Sequence, residues 1–109
     1  MSSRLEKLQV LFNESPQDSF LWFAIAKEYE KMGQSNKALE FYQKLVEEAP
    51  DDVGTYYHLG KLYEQQDKLS AAFQIYLKGI KIATKIGDQH AKGELMAAKM
   101  NLGDDEDFE

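Results

Sequence analysis

The chain has 109 residues, 43 % hydrophobic and 29 % charged, a one-domain length with enough apolar content to exclude general disorder. It contains no cysteine, which excludes disulfides, thiolate catalysis and zinc–sulfur sites and makes the cytoplasm the expected compartment. Net charge is −6, but residues 103–109 hold five of the 19 acids and no base; residues 1–102 set thirteen bases against fourteen acids, and neither part offers the basic stripe that nucleic-acid backbones require.

No apolar run reaches the roughly 18 residues of a membrane span, and the N-terminus lacks the apolar core of a signal peptide. Ser3-Arg4-Leu5-Glu6 has the form of a capping box with Ser3 as N-cap. Leu5, Leu8, Leu11 and Phe12 then recur at helical spacing, and Pro16 stops this first helix. A second helix is expected from near Ser19 to about Met32, with Gly33 as its left-handed cap. Its run Phe20, Leu21, Trp22, Phe23, Ala24, Ile25, Ala26, Tyr29 is wider than one stripe, so cover is expected on several sides. The third helix spans Ser35 or Asn36 to Glu48 and buries Ala38, Leu39, Phe41, Tyr42, Leu45 and Val46. The fourth runs from Val53 to about Gln66 with Tyr56, Leu59, Gly60, Leu62 and Tyr63 inward. Gly60 costs about 1 kcal/mol in a helix interior relative to Ala, which points to a close helix crossing.

Ser70 reads as the N-cap of a fifth helix that buries Ala72, Phe73, Tyr76, Leu77, Ile80 and Ala83, with Gly79 as a second small contact. Thr84 stands where Pro50 stood, so this helix is free to run to Ile86, before Gly87. The sixth helix starts at Asp88 and continues to about Leu102, with Ala91, Leu95, Ala98 and Leu102 on one face and Gly103 as its C′ residue. The acidic residues 104–109 are expected to be disordered.

The key positions return at one constant offset: Trp22, Ile25, Ala26, Tyr29, Ala38 and Tyr42 become Tyr56, Leu59, Gly60, Tyr63, Ala72 and Tyr76. Two amphipathic helices per period, with small residues at the crossings, read as a helical repeat. Counted backwards by the same offset, Pro16 pairs with Pro50, Phe12 with Val46 and Leu8 with Tyr42, so the first helix looks like the second half of a repeat.

The order Trp22-x-x-Ile25-Ala26-x-x-Tyr29, Ala38-x-x-x-Tyr42, Pro50 resembles the tetratricopeptide repeat pattern, and so does Tyr56-x-x-Leu59-Gly60-x-x-Tyr63, Ala72-x-x-x-Tyr76. The departures are Ile25 for Leu, Ala26 for Gly, Tyr56 for Trp and Thr84 for Pro. The resemblance implies an all-α, right-handed superhelical stack of helix-turn-helix repeats with six helices. A single domain over 1–103 would comprise a half repeat (3–18), repeat 1 (19–52), repeat 2 (53–86) and a closing helix (87–102), followed by the tail 104–109.

The resemblance also implies a concave groove lined by the first helices of successive repeats, which takes a peptide or protein segment. Mapped by repeat position, the groove receives Phe20, Phe23, Lys27, Glu30 and Lys31 from repeat 1 and Tyr57, His58, Lys61, Glu64 and Gln65 from repeat 2. Phe23 with Tyr57 and Lys27 with Lys61 form paired rows suited to a ligand with an apolar side chain and a carboxylate. The bland alternative is that Phe20 and Phe23 are covered by the first helix or by a neighbouring molecule in a crystal and the lysines are solvated. The family's two-carboxylate clamp for heat-shock chaperone tails maps onto Phe23, Lys27, His58, Asp88 and Lys92. Only Lys92 keeps its charge type and Asp88 reverses it, so no such binding is expected.

His58 and His90 form no helical metal pair and are read as packing or surface residues. No nucleophile elbow or phosphate loop appears, so no catalytic residue, cofactor or metal is assigned. The tail reads as a solubilising end, a ligand for a basic partner, or a self-inhibitor folding back on Lys27 and Lys61. The expected function is a non-catalytic adaptor or scaffold module that binds a protein segment. Self-association, motivated by the apolar 20–25 stretch, is the alternative.

Overall fold

The computed structural model describes residues 3–103, so the acidic tail and its expected disorder lie outside the described residues. Within them the chain forms six α-helices and no strand: α1 (Ser3–Glu14), α2 (Ser19–Lys31), α3 (Ser35–Glu48), α4 (Val53–Gln65), α5 (Leu69–Ile86) and α6 (Gln89–Leu102). They fall into two compact units, Met1–Ala49 and Pro50–Glu109. In the first, α2 packs on α1 and α3. In the second, α4, α5 and α6 all pack on one another.

In the first unit the core is Leu5 and Leu8 of α1, Leu21, Trp22, Ile25, Ala26 and Tyr29 of α2, and Ala38, Tyr42, Leu45 and Val46 of α3. Trp22 donates its Nε1–H to the Pro16 carbonyl at 2.9 Å. Tyr56, at the same place in the next repeat, does likewise, its hydroxyl donating to the Pro50 carbonyl at 2.7 Å. The aromatic residue that opens each repeat is thus tied to the proline turn before it. Leu11 departs from its expected inward position and is 48 % exposed. Its counterpart Leu45 is fully buried. The side of α3 that carries Leu45 lies within a helix pair, whereas among the described residues α1 has no preceding helix to pair with.

In the second unit small residues admit aromatic ones, as expected of Gly60. A Cβ there would overlap the Tyr76 ring, and one on Gly79 would sit 2.7 Å from Tyr56 Cβ and 3.0 Å from Leu95 Cδ1. Thr84 donates its hydroxyl to the Ile80 carbonyl at 2.8 Å, so α5 continues where a proline would have stopped it. It ends at Gly87, in the left-handed region at φ 82°.

Two helix starts differ from the sequence reading. Ser3 is already helical, whereas α2 starts at Ser19 as expected, capped by Asp18, which accepts from the Phe20 N–H at 3.0 Å. Ser70 lies inside the first turn of α5, with Lys68 at the N-cap position and no side-chain capping bond. The cause is the turn before it. Gly33 and Asp67 occupy the same place in successive repeats, and both take the left-handed conformation, at φ 77° and 58°. Each is followed by a residue whose N–H reaches back to the third-last helical carbonyl, Gln34 to Tyr29 and Lys68 to Tyr63, both at 2.9 Å. This closure sets where the next helix begins.

Two stability tests follow. Asp67→Gly removes a left-handed non-glycine residue and is expected to raise the unfolding free energy by about 0.5–1 kcal/mol in urea titrations. Gly60→Ala improves helix propensity, yet the overlap with Tyr76 is expected to make it destabilising by about 1–3 kcal/mol. A Gly60→Ala variant more stable than the wild type would show that propensity outweighs packing at this crossing.

Candidate functional site

The exposed face of α2 is a concavity of about 580 Å³ lined by Phe20, Phe23, Ala24, Lys27, Glu30 and Lys31, with Arg4 and Glu28 at its α1 side. Asp18 starts α2 so that Phe20 stands clear of the core, and its side chain is 72 % exposed. The alternative in which α1 covers it therefore fails for Phe20. Phe23 is half-buried and meets Tyr42 edge-on, with ring centroids 6.0 Å apart. Lys27 and Lys31 are one turn apart and exposed. Five of the ten expected groove residues, Phe20, Phe23, Lys27, Glu30 and Lys31, thus share one surface.

The acids of this face have structural duties. Glu28 is buried at 6 % exposure and pairs with Arg4, its Oε2 lying 3.5 Å from the guanidinium Nε. Glu30 Oε1 accepts from the Tyr42 hydroxyl at 2.6 Å. The same bond recurs one repeat later, Tyr76 donating to Glu64. Burial first, then the bond to Glu30 and its negative charge, push the Tyr42 phenol well above its usual range. Burial, the Glu64 bond and that carboxylate's charge do the same for Tyr76.

The second unit presents a smaller concavity of about 360 Å³, lined by Tyr57 and Lys61 of α4 and by Glu94, Ala97, Ala98 and Asn101 of α6. Lys61 Nζ lies 5.5 Å from the Tyr57 ring centroid and 3.5 Å from Glu64 Oε2. His58 is half-buried and edge-on to Tyr57 at 6.0 Å, and does not line this hollow. The two faces are unequal because Phe20 has Gly54 as its counterpart and Lys31 has Gln65.

Asp88 of the clamp mapping caps α6, accepting from the Ala91 N–H at 3.0 Å. His90 is exposed and pairs with Glu94 at 2.6 Å. Among the described residues no three His, Cys, Asp or Glu side chains converge as a metal site. No described helix is long and apolar enough to cross a membrane. Sequence reasoning missed Arg4, Glu28 and the α6 side chains. Arg4 and Glu28 carry no local signal, because they stand far apart in the sequence on different helices. The Tyr–Glu bonds did leave one, the same sequence separation between tyrosine and glutamate in both repeats.

Two models of the tetratricopeptide repeat family match the chain, one over residues 19–52 and one over 53–86. The chain belongs to the tetratricopeptide repeat family. A tetratricopeptide repeat domain protein from Salinibacter ruber is similar in its crystal structure, at 44 % identity over 78 % of this chain and 94 % of that one, with a TM-score of 0.73. The solution structure of such a protein from the same organism gives 43 % identity over 81 % and 89 %, with a TM-score of 0.76. A Bordetella parapertussis protein shares the fold at 24 % identity, over 94 % of this chain and 89 % of that one, with a TM-score of 0.80. The comparison with curated proteins gives no match. Tetratricopeptide repeats generally mediate protein–protein interaction and are typically non-catalytic.

The tyrosine bonds predict a pH dependence. A phenol whose folded pKa is raised contributes stability in full below its unfolded value of about 10 and loses it as pH rises above that. Tyr42→Phe and Tyr76→Phe are each expected to cost about 1–2 kcal/mol at pH 7. Each substitution should also flatten the alkaline fall in stability. Urea titrations at neutral and alkaline pH read both effects.

Proposed function

We propose that this chain is a non-catalytic interaction module whose first-helix faces bind a protein segment carrying an apolar side chain next to carboxylates. In the first unit the face of α2 supplies Phe20, Phe23, Lys27 and Lys31; in the second, taken by itself, the face of α4 supplies Tyr57 and Lys61, with His58 outside the hollow. An adaptor or scaffold role in the cytoplasm accords with the family and with a sequence free of cysteine.

The observation that carries the reading is the exposed Phe20 ring beside two lysines. A large ring at 72 % exposure contributes little to the fold but offers apolar area to a ligand. The neighbouring ammonium groups favour a carboxylate and disfavour a basic segment.

The test is fluorescence anisotropy with a labelled peptide that carries one phenylalanine among acidic residues. Phe20→Ala is expected to leave the unfolding free energy within about 0.5 kcal/mol and to weaken the peptide severalfold. Lys27→Ala/Lys61→Ala is expected to weaken it further at low salt. Equal affinity for wild type and the double-lysine variant would remove the lysines from the site.

A further inference from the structure

The α2 face holds more positive charge than its own acids answer. Glu28 pairs with Arg4, and Glu30 accepts from Tyr42. Among the described residues neither Lys27 nor Lys31 has a carboxylate within ion-pair distance. The site is an exposed aromatic ring with two unanswered ammonium groups on the same helix face. The chain also carries a segment of complementary composition. Residues 104–109 read Asp104-Asp105-Glu106-Asp107-Phe108-Glu109, five carboxylates around one ring. This segment lies outside the described residues and follows α6.

We propose that segment 104–109 of one copy of this chain docks on the α2 face of a second copy, Phe108 against Phe20 and Phe23 and the acids beside Lys27 and Lys31. The inference rests on the peptide-binding reading above and names one ligand of that site. The spacings agree. Along α2, at about 1.5 Å per residue, Lys27 lies roughly 6 Å and Lys31 roughly 12 Å from Phe23. In an extended strand, at about 3.3 Å per residue and with every second side chain on one face, Glu106 would lie roughly 7 Å and Asp104 roughly 13 Å from Phe108 on the same face. One extended segment can therefore seat its ring and its carboxylates together. The contact is heterologous, because the surface that binds differs from the surface that is bound, so association continues with concentration instead of closing at two. Exposed ion pairs carry much of it, so salt weakens it.

The experiment uses sedimentation velocity on the full chain, the chain ending at Gly103, and the full chain with Lys27→Glu/Lys31→Glu, from about 10 μM to 1 mM. Circular dichroism establishes that all three are equally helical. The average mass of the full chain is expected to rise with concentration at low salt and to fall back at about 0.5 M salt. The other two are expected to remain monomeric. A synthetic peptide spanning Gly103–Glu109 is expected to bind the truncated chain and to weaken at least about tenfold when the truncated chain carries Lys27→Glu/Lys31→Glu. Truncated chain that associates as strongly as the full one overturns the proposal. So does peptide binding with a full chain that stays monomeric, which would place the segment on its own molecule. An unrelated acidic phenylalanine peptide that binds where Gly103–Glu109 does not overturns this inference and leaves the peptide-binding reading intact. Binding of neither peptide overturns both.

Discussion

The hydroxyl of one tyrosine per repeat, reaching back to a glutamate on the preceding helix, is the constraint around which each helix pair is arranged. Tyr42 and Tyr76 are fully buried, yet each donates to a carboxylate near the surface, on Glu30 and Glu64. A buried phenol without a partner is costly, so the second helix must sit where its hydroxyl meets that acid. In the second unit the ring also needs the space that Gly60 leaves open. One side chain therefore sets depth by its ring and alignment by its hydroxyl. The carboxylates serve architecture first, and the exposed charge of α2 is left to its lysines.

The helix pairs were legible because their cause is periodic. Trp22 returns as Tyr56, Ala38 as Ala72 and Tyr42 as Tyr76, all at one offset, and a helix pair that packs on its neighbours requires that repetition. Gly60 was legible too, since a glycine in mid-helix calls for a close approach. Helix starts were less so. Asp67 adopts a left-handed turn that Gly33 adopts with less strain, and nothing in a lone Asp announces it. Ser70 looks like a cap by composition, but the backbone closure at Lys68 begins the helix before it.

The candidate site divides in the same way. Lys27 and Phe23 could be placed by register because Lys61 and Tyr57 repeat them. The pairing of Arg4 with Glu28 could not, because Glu28 occupies the slot that Leu62 fills in the next repeat. A carboxylate in a leucine position needs a cation from outside the repeat, and α1 provides it. Phe20 is also peculiar to the first unit, its counterpart being Gly54. What distinguishes this chain from the repeat pattern is therefore concentrated on α1 and α2.

The first repeat opens with Trp22 and the second with Tyr56, and Trp22 is the single tryptophan of the chain. Its ring is 4 % exposed, its Nε1–H is held by the Pro16 carbonyl, and Lys44 Nζ lies 5.2 Å from its centroid. Indole emission depends on these surroundings, so it is an optical signal of the Met1–Ala49 unit alone. Far-ultraviolet dichroism, by contrast, reports helix from both units. The substitution of one aromatic residue for another at a repeat position thus labels half of the molecule, and lets the melting of that half be followed without any added dye.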